Sequence, residues 1–201
     1  MVEAALALVG FNQIKIQDDG YLEKINGAVT VDLASIAKGY GVDRVATLLK
    51  DSGFDDFLIE IGGEIFAAGK RLDGKTWRVG INQPSSSAAS DEIYTVVALE
   101  DKAMATSGDY RNFFQMAGKT FSHIIDPRTG YPIQNHVVST SVIADTCTLA
   151  DGLATALMVM GAEEGVALLD RLPQVEGVVI VRHSDGRLEN FPSTGLSAFI
   201  P

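Results

Sequence analysis

Apolar residues recur along this chain with two periods, and each period predicts a different kind of element. Helical spacing within residues 32–53 predicts a helix that packs on a sheet and ends at a glycine. Residues 144–161 predict a second helix that is apolar on nearly all sides, and residues 163–172 predict a third. Short runs, several with alternating apolar positions, predict strands. These runs are residues 12–17, 57–69, 76–84, 93–101, 119–126 and 177–183, with a hairpin turn at Ser184, Asp185 and Gly186 before a last strand.

The order of these elements indicates how the chain is organised. An amphipathic helix entering a strand is expected at residues 1–16, and no internal repeat or low-complexity linker follows. Gly62 and Gly63 interrupt one apolar strand, where a bulge or a close backbone approach is expected. A Ser-rich stretch within residues 81–92 is expected to be a surface loop. We therefore predict one α+β domain over residues 1–201, with a mixed, mostly antiparallel sheet flanked by helices.

Composition and charge narrow the classes of function. The chain has 201 residues, of which 46% are hydrophobic and 21% charged, as in a globular domain with a real core. A formal net charge of −10, without a cluster of lysine or arginine, argues against nucleic acid and anionic lipid as partners. No apolar run approaches the roughly 20 residues that span a bilayer, so no membrane contact is expected. The single cysteine, Cys147, provides neither a disulfide framework nor a cysteine zinc site. A phosphate-bearing ligand would therefore need a local cation or a metal ion.

Asp151 and Thr155 are unexpected polar residues inside the apolar helix. They are four residues apart and so share one helix face. A buried carboxylate has to be protonated, paired or bound to a cation, because an isolated buried charge is unfavourable. Two interpretations stay open. Either a nearby lysine, arginine or backbone N–H satisfies Asp151, or the two side chains bind Mg²⁺ or Ca²⁺, which prefer such hard oxygen ligands.

Asp32, Ser35 and Lys38 lie at the predicted start of the first long helix. The start of a helix presents free backbone N–H groups and the positive end of the helix dipole, which suit a phosphate. In the alternative interpretation, Asp32 or Ser35 is an ordinary N-cap and Lys38 is a solvated side chain.

Two further segments carry residues suited to chemistry. Residues 106–109, Thr-Ser-Gly-Asp, crowd a predicted strand-to-helix turn, where the backbone can approach a ligand or simply cap the helix. His123 lies at a strand end next to a predicted tight turn that holds Asp126 and Arg128. It is either a structural histidine or a base or phosphate contact, and Asp126 could orient it as a base.

Five motifs occur in the order and spacing of one enzyme family. They are DLASIAKGYGVDR, IEIGGEI, ATSGDYRNFF, SHIIDPRTG and ADTCTLADGLATALMVMG. With them the chain resembles the ApbE-like FAD:protein FMN transferases, formerly called thiamine biosynthesis lipoproteins, whose fold is T-fold-like. The resemblance implies a Mg²⁺-dependent enzyme that binds FAD and splits its pyrophosphate. Such an enzyme attaches FMN through a phosphoester to a Thr or Ser of a target flavoprotein and releases AMP.

The resemblance also implies roles for individual residues. It implies that His123 is the catalytic histidine. It implies that Asp32, Lys38 and Ile125 contact FAD. The metal ligands that it implies are Ser35, Asp151, Thr155 and the backbone of Ala154.

The family's partners and location are implied in the same way. Its targets include subunits of sodium-pumping and related respiratory redox complexes, and its members work on the periplasmic side of the bacterial inner membrane, often lipid-anchored. The chain resembles the C-terminal two thirds of the family, so we expect it to lack the N-terminal segment with the secretory lipobox and flavin-contacting Met and Tyr residues. Two alternative functions stay open, a Mg²⁺-dependent FAD pyrophosphatase and a non-catalytic FAD-binding module.

Overall fold

A computed structural model describes residues 2–84, 92–109, 113–116 and 119–201. The central part of the Ser-rich stretch, residues 85–91, therefore lies outside the described residues. The helices are α1 (Val2–Leu6), α2 (Ala37–Asp51), α3 (Cys147–Met160) and α4 (Ala162–Leu169), with short 3₁₀ helices at Phe11–Gln13 and Leu196–Phe199. The strands are β1 (Ile14–Ile16), β2 (Leu22–Lys24), β3 (Phe57–Ile61), β4 (Glu64–Ala68), β5 (Trp77–Asn82), β6 (Ile93–Leu99), β7 (Lys102–Gly108), β8 (Phe113–Met116), β9 (Lys119–Ser122), β10 (Ile125–Asp126), β11 (Tyr131–Pro132), β12 (Val137–Ala144), β13 (Glu176–Arg182) and β14 (Leu188–Pro192).

Six of these strands form the central sheet, in the order β14-β13-β12-β7-β4-β3, and every neighbouring pair is antiparallel. The hairpins β1–β2, β5–β6, β8–β9 and β10–β11 each pair separately. The predicted α+β class is confirmed, although the central sheet is antiparallel throughout its described strands and not mixed. The helices predicted within residues 32–53, 144–161 and 163–172 are present as α2, α3 and α4. Among the described residues, no helix has both the length and the apolar character needed to cross a bilayer.

Both faces of the central sheet are covered. Successive strand residues point to opposite faces. On β7, Met104 joins the core shared with the β5–β6 hairpin, and Ala105 joins the core under α3 and α4. α2 packs on β3 and β4 through Val42 and Ala46. Because of this double cover, β4 and β12 are buried at every position and lack the alternation of a half-exposed strand.

The apolar run at residues 57–69 is two strands rather than one. β3 and β4 form a hairpin whose turn is Gly62 and Gly63, with φ of +61° and +101°. A two-residue hairpin turn often needs positive φ, which glycine adopts without strain. The expectation of one strand with a bulge is therefore wrong, whereas the alternative of a close approach is met at Gly62, where a Cβ atom would lie 3.3 Å from Lys38 Cδ. The reversal places β4 inside the sheet and β3 at its edge.

The predicted strand-to-helix turn at residues 106–109 also differs from the structure. β7 continues to Gly108, and the next described segment, residues 113–116, is strand β8, which pairs with β9. Residues 110–112 lie outside the described residues. A strand therefore follows where a helix was expected, and the helix-cap interpretation of this segment is wrong.

Candidate active site

A cavity of about 730 Å³ lies beside the turn of the β3–β4 hairpin. The pairing of β4 with β7 ends at Ile65 and Met104, whereas β7 continues along β12 to Gly108. The polar end of β7 is therefore left to line the cavity. The volume falls within the range of about 300–1,000 Å³ that is usual for small-molecule sites. The predicted site residues that line it are Ser35, Lys38, His123, Asp151 and Thr155.

Asp151 is buried, with 3% of its surface exposed, and it faces the start of α2. Its Oδ2 accepts a hydrogen bond of 2.9 Å from the backbone N–H of Gly39. Gly39 belongs to the first turn of α2, where N–H groups have no partner within the helix and the dipole is positive. A backbone N–H therefore satisfies Oδ2, as the first interpretation predicted, while the carboxylate also lines the cavity, so the metal interpretation stays a prediction.

Burial raises the pKa of the Asp151 carboxyl, and the Gly39 N–H and the Lys38 charge only partly oppose that rise. The folded protein therefore binds this proton more tightly than the unfolded chain does. Stability accordingly falls as pH rises from the unfolded pKa of the carboxyl through its higher folded pKa. A cation in the cavity would stabilise the ionised carboxylate and so oppose this loss.

Hydroxyl groups complete the polar wall next to Asp151. Thr155 follows it by one helical turn, and its Oγ1 lies 3.2 Å from the Oγ of Ser107 on β7. Ser35 lines the same cavity. Within the described ranges, no three His, Cys, Asp or Glu side chains form a metal-binding group. The residues nevertheless fit Mg²⁺, which proteins often hold with one or two carboxylates, other oxygen donors, water and substrate phosphates.

The backbone carbonyl of Ala154 is hydrogen-bonded to the central sheet. Ala154 is fully buried, and its carbonyl oxygen accepts a hydrogen bond of 2.7 Å from the Oγ1 of Thr140 on β12. This bond fixes the helix against the sheet. The metal-binding role of Ala154 stays a prediction, because this residue is not part of the described cavity wall.

Asp32 is placed in the turn before α2. Its Oδ1 accepts a hydrogen bond of 2.8 Å from the backbone N–H of Ala34, which lines the cavity. The N-cap of α2 is Ile36, without a side-chain cap. The interpretation of Asp32 or Ser35 as an ordinary N-cap is therefore wrong. The FAD contact of Asp32 stays a prediction, and the hydrogen bond shapes the turn that presents Ala34.

His123 lies between β9 and β10, exposed at the cavity. Burial raises the pKa of the Asp109 carboxyl, and the charges of His123 and Arg182 oppose that rise, so Asp109 is electrostatically coupled to His123. The Asp126 carboxylate instead accepts hydrogen bonds from Arg128, at 3.0 Å from Nε and 2.8 Å from Nη2. Asp126 is therefore engaged by Arg128, and Asp109 is an acidic group within electrostatic reach of His123.

Ile125 begins β10 and is 48% exposed. The residue that lines the cavity at this point is its neighbour Ile124. The flavin contact predicted for Ile125 stays a prediction.

Lys38 is paired rather than simply solvated. Its Nζ lies 2.5 Å from Oε1 of Glu64, a residue that the sequence interpretation did not single out. Glu64 opens a strand that is otherwise apolar. The sequence signal that marks Asp151 is also present at Glu64, because a carboxylate in a buried element needs a partner.

The contact between α2 and α3 fixes the relative positions of the site residues on these two helices. Asp43 of α2 accepts hydrogen bonds from the backbone N–H groups of Cys147 and Thr148, at 2.7 and 2.8 Å, and so caps the start of α3. One turn earlier on α2, a Cβ atom on Gly39 would lie 2.8 Å from the Cβ of Asp151 and even closer to the Cys147 carbonyl oxygen. Only glycine lets the two helices approach this closely.

We expect Gly39→Ala to destabilise the protein by about 2 kcal/mol, because the methyl group overpacks the helix junction by more than the gain in helix propensity. The melting temperature should fall by about 4–8 °C in a thermal melt followed by circular dichroism. Gly41→Ala is the matched control in the same helix, since its Cβ would meet only the Ile61 Cδ1 at 3.5 Å. It should stabilise the protein slightly. Equal behaviour of the two variants would contradict the close approach at Gly39.

Comparison with known families shows to which family this chain belongs. The model of the ApbE family matches residues 1–179, most of the chain. The chain belongs to the ApbE family. The resemblance carried by the five sequence motifs is thereby confirmed.

ApbE relatives and structures agree with this assignment. The FAD:protein FMN transferase of Vibrio cholerae is 42% identical over 199 residues, which cover 99% of this chain and 58% of that protein. The FAD:protein FMN transferase of Haemophilus influenzae is 40% identical over 196 residues, 96% of this chain and 55% of that protein. The structure of the flavin transferase ApbE from Vibrio cholerae superposes with a TM-score of 0.84 and 41% identity, covering 99% of this chain and 62% of that one. This chain therefore spans little more than half the length of these ApbE relatives.

Proposed function

We propose that this chain transfers FMN from FAD to a Thr or Ser hydroxyl of a flavoprotein, with Mg²⁺ as cofactor and AMP as the second product. One observation carries the proposal: a single cavity is lined by a buried carboxylate, a cation and a candidate base, which are Asp151, Lys38 and His123. The proposal is supported by the relatives that are named FAD:protein FMN transferase.

The protein's own positive charges suffice to bind a pyrophosphate only if a metal ion adds to them. With a net charge of −10, the molecule does not attract phosphates in general, and Lys38 is already paired with Glu64. Asp151, Thr155 and Ser35 would hold Mg²⁺, which when bound would neutralise charge on the pyrophosphate and on the departing phosphate. Lys38 and the start of α2 add positive potential at the same end of the cavity.

The proposed transfer forms one bond, breaks one bond and moves one proton to His123. The hydroxyl oxygen of the acceptor attacks the phosphorus of the FMN half of FAD, the bond from that phosphorus to the bridging oxygen breaks, and AMP leaves with that oxygen. A ring nitrogen of His123 takes the hydroxyl proton, a contribution of roughly 10²- to 10⁴-fold for a general base. Because His123 is exposed at the cavity, a hydroxyl on another protein can reach it.

A direct assay tests the proposal. The chain is incubated with FAD, Mg²⁺ and an acceptor peptide that carries one Thr, and the products are separated by mass spectrometry. We expect an FMN adduct on the peptide together with AMP, and no adduct on a peptide with Ala in place of Thr or in excess EDTA. Free FMN with AMP would instead identify a FAD pyrophosphatase, in which water replaces the acceptor. FAD that is bound but unchanged would identify a FAD-binding module.

We also propose, from the family resemblance, that the acceptor is a subunit of a respiratory redox pump and that the protein acts, lipid-anchored, on the periplasmic side of the bacterial inner membrane. Fractionation of the source cells tests the location, with recovery in the cytosolic fraction as the contradicting result. Loss of covalent FMN from the pump subunit in cells that lack this protein tests the acceptor.

A further inference from the structure

Glu64 is the most deeply buried carboxylate in the described part of the chain, with 1% of its surface exposed. It is the first residue after the Gly62-Gly63 turn. It shares one face of β4 with Phe66 and Ala68, which pack with α2. Its side chain therefore points toward α2, and this direction brings it to Lys38.

Its two carboxylate oxygens have different surroundings. Oε1 accepts a hydrogen bond from Lys38 Nζ at 2.5 Å, while Oε2 is buried and has no hydrogen-bond partner among the described residues. A buried acceptor without a partner is destabilising. A buried ion pair also need not stabilise the fold, because well-packed apolar residues in its place often leave a protein equally stable or more stable. The position of Glu64 beside the cavity gives a functional reason for keeping it.

Lys38 is held along its length. The Nζ also lies 3.5 Å from the carbonyl oxygen of Gly62, and a Cβ atom on Gly62 would come within 3.3 Å of Lys38 Cδ. The stem of the lysine thus lies over the glycine turn while its ammonium group meets Glu64. With 48% of the Lys38 side chain exposed, the cavity remains open to the ammonium group.

A lysine that was not held would lose much rotamer freedom when it binds a phosphate, because its four-carbon stem is flexible. Fixing the side chain before the ligand arrives removes part of that loss. We propose that Glu64 is a positioning residue that holds the Lys38 ammonium group at the place where the FAD pyrophosphate binds. This inference rests on the proposed function for the identity of the ligand, but the placing of Lys38 by Glu64 can be tested without FAD.

The first test measures the reactivity of Lys38 itself. Each lysine of the folded protein is labelled with a trace of acetic anhydride, and its acylation is quantified by peptide mass spectrometry. We expect Lys38 to react several-fold faster in Glu64→Ala than in the wild type, and Glu64→Gln to lie between the two, because its amide oxygen still accepts the hydrogen bond but lacks the negative charge. Unchanged Lys38 reactivity in Glu64→Ala would overturn the proposal, whether or not the protein binds FAD.

The second test is a FAD titration in the presence of Mg²⁺. Glu64→Ala should weaken FAD binding by about tenfold, and Glu64→Gln by no more than about threefold. In a Lys38→Ala background, Glu64→Ala should cause no further loss, because both changes remove the same contact. An equal loss in both backgrounds would show that Glu64 acts through the fold and not through Lys38, and would overturn the proposal.

The control variant is Glu100→Gln, which changes another Lys–Glu pair in the same way. Glu100 pairs with Lys70 at 3.4 Å, both side chains are exposed, and neither lines the cavity. FAD binding and the labelling of Lys38 should stay at the wild-type level. A wild-type chain that does not bind FAD would contradict the proposed function alone, because the labelling experiment still decides the role of Glu64.

Discussion

Asp151→Asn is expected to lower Mg²⁺-dependent FMN transfer by at least about 100-fold, since even residues that only orient a metal ligand affect activity by roughly 10- to 100-fold. The asparagine keeps the shape of the side chain, and its oxygen can still accept the Gly39 N–H. What it lacks is the negative charge that attracts the cation. Transfer rates measured against Mg²⁺ concentration check this expectation.

The same variant separates a metal site from a structural carboxylate. Without metal at neutral pH, Asp151→Asn should be as stable as the wild type or more stable, because burial raises the Asp151 pKa and ionisation is then unfavourable. Asp151→Ala is less suitable, since it leaves the N–H of buried Gly39 without its partner. A wild-type response to Mg²⁺ in Asp151→Asn would contradict the metal assignment.

Two further variants calibrate the Asp151 result. Thr155→Val keeps the shape of the side chain and removes only a neutral ligand, so its loss of Mg²⁺ affinity should be smaller. Asp145→Asn is the control, because Asp145 precedes α3, pairs with Lys102 at the surface and lies outside the cavity wall. Its transfer rate should stay within about twofold of the wild type.

His123→Ala should lower FMN transfer by roughly two to four orders of magnitude while FAD and Mg²⁺ binding stay nearly unchanged. A base acts on the acceptor proton in the transition state, so its removal lowers kcat rather than substrate affinity. Single-turnover transfer rates, together with titrations of FAD and Mg²⁺ binding, compare the variant with the wild type.

His183→Ala is the matched control for this result. His183 is exposed, its Nε2 lies 2.7 Å from Oε2 of Glu189, and it does not line the cavity. Its removal should leave the transfer rate and FAD binding intact. If His123→Ala instead loses FAD binding, His123 is a phosphate contact and the base is another group. Asp109 would then be the first residue to test, because it is electrostatically coupled to His123.

The sequence by itself determined those features that depend on residues close to each other along the chain. Periodicity placed α2, α3 and α4, because helical spacing of apolar residues reflects a face that must be buried. The cost of burying a charge identified Asp151 as a residue that needs a partner. Strand boundaries were less accurate around Gly62 and Gly63, since a glycine pair within a doubly covered sheet suits either a bulge or a hairpin turn.

Only the tertiary structure decided which groups meet. Gly39 and Asp151 are 112 residues apart, Lys38 and Glu64 are 26 apart, and Asp43 caps a helix that begins 104 residues later. Periodicity reports how residues are spaced along one element and contains no information about which element packs against it. A buried carboxylate therefore predicts that a donor is present, but the packing of α2 against α3 and β4 decides that the donors are a glycine N–H and a lysine.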